Sequence, residues 1–144
     1  MSRFKETIEV GVPVRAAYDQ LTHFESYPEF MTGVKQVIQL SDTETHWVMN
    51  MDGRDREFDA YLTECRPDHK VAWQSAGGPM LTEEITLKRL SVDRTQVIAE
   101  LDADAMALLP SDGHAEESLS RQLKADLRQF KNYIEQNVGP VPAI

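Results

Sequence analysis

Apolar and polar residues alternate over most of the chain, a pattern typical of β-strands with one buried face. The alternation begins at residues 4–10, where Phe4, Ile8 and Val10 share one face. It resumes at residue 34 and continues to residue 103, with turn residues at short intervals. The pattern predicts strands near residues 34–41, 44–52, 55–65, 69–76, 80–90 and 95–103. Because no helical segment separates them, these strands should form an antiparallel meander.

Helical spacing replaces the alternation in three segments. Residues 14–24 follow Pro13, a favourable residue for starting a helix, and residues 26–31 predict a second short helix capped by Ser26. A long helix is predicted from about residue 112 to 137, because apolar residues recur there at three- and four-residue intervals. This stripe consists of Leu119, Leu123, Leu127, Phe130 and Ile134.

The order of these elements predicts an α+β fold. One strand, two short helices, six strands and a long C-terminal helix would form a single domain over residues 1–138. In that domain one curved sheet packs against the last helix. Residues 139–144 follow the helical pattern and are expected to form a flexible tail.

The same alternation assigns one face of each strand to the interior. The inward residues are Ile38, Leu40, Trp47, Met49, Met51, Phe58, Ala60, Leu62, Val71, Trp73, Leu81, Ile85, Leu87, Val97, Ala99 and Leu101. A curved sheet crossed by one long helix can enclose a space that side chains do not fill. These residues are therefore either plain core or the lining of a small-molecule cavity. Adaptable methionines beside tryptophans suit both interpretations.

Glu83 interrupts this apolar face, since it shares a side of its strand with Leu81, Ile85 and Leu87. A buried carboxylate is unfavourable unless it is paired or protonated. Two interpretations follow. Either Glu83 lies near a strand end and reaches solvent, or it is a polar contact or an acid of raised pKa inside a pocket.

Composition and charge narrow the range of partners. The chain has 15 Lys and Arg against 24 Asp and Glu, a net charge of −9, which argues against binding to nucleic acid or anionic membrane surfaces. The single cysteine, Cys65, and the absence of an apolar signal-peptide segment favour a cytoplasmic location. No apolar run approaches the roughly 18 residues of a membrane span, so no integral membrane association is expected. We expect a monomer or a weak homodimer.

Motifs for metal, cofactor or nucleophilic chemistry are missing from the sequence. The four histidines, His23, His46, His69 and His114, occur singly and without metal-ligand spacing. The chain has no GxSxG, Walker or GxGxxG motif. We therefore assign no metal, no cofactor and no catalytic residue, and any catalysis would depend on polar groups inside a pocket.

Several local phrases resemble one known family. They are residues 12–18, 21–31, 33–35, 46–47, 53–60, 71–75 and 126–134. Together they resemble the polyketide cyclase/dehydrase and lipid transport superfamily, and within it the coenzyme Q-binding, START-like branch. The resemblance implies a helix-grip fold, in which a seven-stranded antiparallel sheet wraps the C-terminal helix around a hydrophobic cavity.

The pattern and the resemblance together favour a non-enzymatic protein that binds a small hydrophobic molecule such as a lipid, quinone or polyketide. The expected ligand-binding residues are Trp47, Met49, Phe58, Trp73, Glu83, Ile85, Val97, Leu119, Leu123 and Phe130. One alternative is a polyketide cyclase or aromatase-type enzyme in which Glu83 moves protons. A further alternative is a protein-interaction module that associates with ribosomes, against which the net charge argues.

Overall fold

The computed structural model describes residues 2–31, 33–51, 54–77, 80–110 and 112–138. The predicted tail at 139–144 lies outside the described residues, as does the side chain of Met51. The strands are β1 (Ser2–Val10), β2 (Val34–Gln39), β3 (Glu44–Met51), β4 (Arg54–Arg66), β5 (Lys70–Ala76), β6 (Leu81–Ser91) and β7 (Arg94–Ala103). The helices are α1 (Val14–Thr22), a 3₁₀ helix (Phe24–Glu29), α2 (Ala105–Leu108) and α3 (Ala115–Val138).

All seven strands form one curved antiparallel sheet in the order β1-β7-β6-β5-β4-β3-β2. Strands β2 to β7 are therefore a meander, as the spacing of turns predicts, and β1 joins it by pairing with β7. Helix α3 lies against the inner face through its apolar stripe, every member of which is buried. The α+β fold and the helix-grip arrangement are thereby confirmed.

Strand β2 corrects one predicted face. Ile38 and Leu40 were assigned to the interior, but they are 39% and 54% exposed, whereas Val34 and Val37 are buried. The pairing of β2 with β3 shifts between Val34 and Gln36. This irregularity adds one residue to the strand, and a slip of one residue moves every following side chain to the other face.

The helices differ from the prediction at their starts. The 3₁₀ helix begins at Phe24, and Ser26 lies inside it, where its hydroxyl donates to the His23 carbonyl at 2.7 Å instead of capping the first turn. Helix α3 begins at Ala115, because the side chain of Asp112 accepts a hydrogen bond from the His114 amide at 2.8 Å and holds the preceding residues in a turn. Helix α2 was not predicted.

Tyr27 fixes the 3₁₀ helix against the sheet. Its side chain is fully buried, and its hydroxyl donates to the Leu21 carbonyl at 2.6 Å. Its ring packs edge-on against Trp47 of β3, with ring centres 5.5 Å apart. This contact places the segment that follows, which includes Met31, at the edge of the interior between β2 and α3.

Candidate functional site

Two neighbouring cavities lie between the inner face of the sheet and helix α3, with volumes of about 40 and 20 Å³. Both are bounded by Met31, Glu83, Leu123 and Asp126. The larger is also lined by Val34, Trp47, Met49, Trp73, Leu81, Leu101, Leu119 and Gln122. The smaller is also lined by Leu21, Phe30, Ile85, Val97, Leu127 and Phe130.

Nine of the ten residues that the sequence nominates for ligand binding line one of these cavities. The structure therefore brings them together, while their binding of a ligand stays a prediction. The tenth, Phe58, belongs to neither set of lining residues in the described part of the chain. It is half-buried and stacks on Trp47, with ring centres 6.1 Å apart and planes within 4°. Its place is behind the tryptophan, not in the cavity wall.

The interior is more filled than the sequence led us to expect. The two indoles of Trp47 and Trp73 lie with ring centres 4.6 Å apart, and the rings of Phe30 and Phe130 meet edge to face at 5.2 Å. These rings occupy much of the space between the sheet and α3. A cavity that accommodates benzene measures about 150 Å³, several times the space found here. A ligand of that size requires the cavity to widen.

The two tryptophans differ in their hydrogen bonds. The Trp47 indole Nε1–H donates to Thr45 Oγ1 at 2.7 Å, and the Thr45 hydroxyl donates to the Ala60 carbonyl at 3.3 Å. The Trp73 Nε1 atom is also buried, yet it has no hydrogen-bond partner among the described residues. Leaving a buried donor unpaired costs about 1–3 kcal/mol, so it is a rare feature.

Glu83 is a buried acid. It is the third residue of β6 and only 4% exposed, which overturns the interpretation that it reaches solvent at a strand end. Removal from water, together with the nearby charge of Asp126, raises its pKa from 4.5 to about 8. At neutral pH its carboxyl is therefore mostly protonated and able to donate a hydrogen bond. Across the sheet it faces Trp73, its register partner on β5.

Asp126 is a functional candidate that the sequence analysis missed. It is 9% exposed and lies on α3, with Leu123 one turn before it and Phe130 one turn after. Its spacing of three and four residues from those two places it within the apolar stripe, so a polar residue at that position was a detectable signal. With Glu83 on the sheet, it puts an acid on each side of the cavities.

The histidines lie apart from this site. His46, next to the inward Trp47, points to the outer face, where Asp59 and Glu57 contact its ring nitrogens at 2.7 and 3.1 Å. These two carboxylates raise the pKa of the imidazole. Within the described ranges, no group of three or more His, Cys, Asp or Glu side chains is arranged to hold a metal ion. Over the same ranges, no helix is long and apolar enough to cross a membrane.

Solved structures with the same fold include a START superfamily protein and an aromatase/cyclase. A START superfamily protein from Mycobacterium smegmatis superposes with a TM-score of 0.80, at 16% identity over 93% of this chain and 97% of that one. The Zhui aromatase/cyclase from Streptomyces sp. R1128 superposes with a TM-score of 0.79, at 15% identity over 99% of each chain. At these identities the likeness establishes the fold alone.

Comparison of sequences identifies the family as well as the fold. An uncharacterised 17.2 kDa protein from Streptomyces lincolnensis is 43% identical over 137 residues, which cover 94% of this chain and 91% of the relative. The family model described as polyketide cyclase/dehydrase and lipid transport matches residues 10–129, most of the chain. The chain therefore belongs to the polyketide cyclase/dehydrase and lipid transport family.

Proposed function

We propose that this protein binds a small hydrophobic molecule, such as a lipid, quinone or polyketide, between its sheet and helix α3 without changing it chemically. The observation that carries the proposal is the pair of cavities on the inner face, whose lining is apolar apart from a few convergent polar groups. That combination is typical of small-molecule sites, in which apolar area supplies affinity and polar groups fix orientation. The family's description, polyketide cyclase/dehydrase and lipid transport, supports a hydrophobic ligand.

Binding requires the two cavities to widen, and the lining offers side chains suited to that. Met31 borders both cavities, is only half-buried, and lies between the 3₁₀ helix and β2. Met49 borders the larger cavity from β3. Thioether side chains rotate easily and adapt to irregular shapes. Rotation of these methionines would join the cavities and admit a ligand without breaking the sheet.

A fluorescence titration tests the proposal. N-phenylnaphthylamine, a neutral dye that brightens in apolar surroundings, should bind saturably to the protein. Leu123→Trp enlarges a side chain that borders both cavities, so it should reduce dye affinity at least about tenfold. Met106→Trp adds the same ring at a residue that is 77% exposed on α2 and should leave binding unchanged. Circular dichroism would verify that both variants are folded.

Absence of saturable binding, or equal binding by the two variants, would count against an interior site. A loss confined to Leu123→Trp would support it, provided that this variant keeps the wild-type circular dichroism spectrum.

Glu83 favours one second candidate, a cyclase or aromatase-type activity. A carboxyl whose pKa lies near neutrality can both give and take a proton within a water-poor cavity. The variant Glu83→Gln separates the two functions, because the amide keeps the shape of the protonated acid but cannot exchange its proton for catalysis. Loss of turnover with retained dye affinity would indicate an enzyme; no turnover of an aromatic polyketide substrate by the wild type would indicate a binder.

A further inference from the structure

The polar groups of the interior indicate which chemical group the hydrophobic ligand carries. This inference rests on the proposed function. Trp73 is 2% exposed, lines the larger cavity, and keeps an indole N–H that no described residue accepts. Trp47, which lines the same cavity at a ring-centre distance of 4.6 Å, has its N–H bonded to Thr45. One indole is therefore a satisfied part of the wall, and the other presents a donor that needs an acceptor.

The position of Trp73 places this donor beside an acid. Trp73 and Glu83 are register partners on β5 and β6, so their side chains stand next to each other on the inner face. Asp126 faces them from α3 and borders both cavities with Glu83. Among the described residues, the cavity wall thus combines an indole donor without an acceptor and two carboxyl groups.

This combination discriminates between ligand charges. A carboxylate ligand would bury its charge beside Asp126, and the described residues that line the two cavities include no Lys, Arg or His to compensate it. An ammonium ligand carries only donors and would leave the Trp73 N–H without an acceptor. A carbonyl, ether or hydroxyl oxygen on an uncharged molecule accepts the indole N–H and avoids both penalties.

We propose that the ligand is an uncharged apolar molecule whose oxygen accepts a hydrogen bond from Trp73 Nε1–H beside Glu83, and that Asp126, with no cationic side chain in the described lining, excludes carboxylates. The site would accordingly take ketones, quinones or alcohols and reject free fatty acids and other organic acids. Trp73 is the specificity-determining contact, while Trp47 contributes apolar surface only.

Nuclear magnetic resonance provides a direct test, because the chain contains two tryptophans and hence two indole N–H signals in a proton–nitrogen correlation spectrum. Trp73→Phe and Trp47→Phe each remove one signal and so assign both. Three probes of nearly equal shape, acetophenone, ethylbenzene and benzoate, are then titrated into the labelled protein. Saturation with acetophenone should move the Trp73 indole proton downfield, with a smaller change at Trp47.

A second measurement compares the ratio of two probe affinities between the wild type and each variant. Because both probes keep their own hydrophobicity in every protein, a change in the ratio reports the hydrogen bond. The ratio of acetophenone to ethylbenzene affinity should fall about tenfold in Trp73→Phe, the loss expected for one buried hydrogen bond. In Trp47→Phe both affinities should fall together, leaving the ratio within about twofold. The variant Asp126→Asn should raise benzoate affinity at least about tenfold, because it removes the negative charge that opposes a buried carboxylate.

Two outcomes would overturn the inference while leaving the proposed function standing. One is a wild-type affinity for benzoate equal to that for acetophenone. The other is an acetophenone-to-ethylbenzene ratio that Trp73→Phe leaves unchanged, together with a wild-type Trp73 signal that acetophenone does not move at saturation. If none of the three probes, ethylbenzene included, perturbs the wild-type spectrum, the interior binds no small molecule and both proposals fall.

Discussion

The outer and inner faces of the sheet differ in the partners of their polar side chains. On the outer face charges are paired: Lys35 with Asp55 at 3.0 Å, and His46 with Asp59 at 2.7 Å. On the inner face Glu83 is buried beside a second acid, and the Trp73 N–H has no acceptor in the part of the chain that the structure describes. Exposed pairs of the first kind contribute about 0–1 kcal/mol each. Buried groups of the second kind oppose folding, which is why they point to a ligand and the outer pairs do not.

The largest expected difference between the two faces lies at two adjacent glutamates of β6. Glu84 points outward and forms an ion pair with Lys70, while Glu83 points inward and has a pKa raised to about 8. Between pH 4.5 and 8 the folded chain keeps a proton on Glu83 that the unfolded chain has lost. The free energy of unfolding therefore falls as the pH rises through this window. The charge of Asp126 adds to the effect of burial on Glu83, and the pKa of buried Tyr27 also lies well above its ordinary value.

The expected result is that Glu83→Gln stabilises the protein by about 3–5 kcal/mol at pH 9 and by less than about 1 kcal/mol at pH 5, since each pKa unit corresponds to about 1.4 kcal/mol. Glu84→Gln should cost less than about 1 kcal/mol at either pH. Urea unfolding at the two pH values measures both. A Glu83→Gln effect that is the same at pH 5 and pH 9 would contradict a buried, protonated acid.

The next largest difference between the two faces is expected in the stability lost when apolar side chains are shortened. Leu123 is 4% exposed and borders both cavities, so Leu123→Ala should cost about 2–5 kcal/mol and join the two spaces. Leu40 is 54% exposed on the outer face, and Leu40→Ala should change stability by less than about 0.5 kcal/mol. Chemical denaturation measures both, and similar costs for the two variants would show that the inner face is not closed by α3.

The two tryptophans provide a finer comparison within the inner face. Trp47→Phe removes an indole whose N–H bonds to Thr45, whereas Trp73→Phe removes one whose N–H has no partner among the described residues. Both lose the same ring volume, so the difference isolates the hydrogen bond. We expect Trp47→Phe to cost about 1 kcal/mol more than Trp73→Phe in thermal or urea unfolding. The opposite order would mean that the Trp73 N–H is satisfied in solution.

The smallest effect is expected at His46 on the outer face. Its two carboxylate partners raise its pKa above the ordinary value of 6.5. Its contribution to stability is therefore present below that value and disappears as the pH rises through the raised pKa. His46→Gln should cost up to about 1 kcal/mol at pH 5.5 and nothing measurable at pH 9. Melting temperatures at the two pH values would reveal it; a loss that is larger at pH 9 contradicts this assignment.

Alternation and helical spacing were enough to predict the strands, the long helix and most of the cavity wall, because burial of one face imposes a strict period on the sequence. The exceptions have local causes. Ile38 and Leu40 face outward because a bulge in β2 shifts the phase, and a bulge leaves no reliable mark in the alternation. Helix α2 spans four residues, too few for a helical period to be visible.

The size of the cavity could not be predicted from the sequence, for a different reason. The pattern places Trp47 and Trp73 on one face, but whether their rings fill the space or border it depends on their rotamers and on the depth at which α3 packs. The same holds for the indole N–H groups. Thr45 is two residues from Trp47 and accepts its hydrogen bond, a local relationship that no periodicity encodes.

Native mass spectrometry of the freshly purified protein tests most directly whether the space under α3 holds a hydrophobic guest. Our account predicts that the wild-type protein carries a small-molecule mass that organic extraction removes, and that a folded Leu123→Trp variant lacks it. A wild-type spectrum containing only the bare polypeptide, or an identical adduct on the variant, would contradict it.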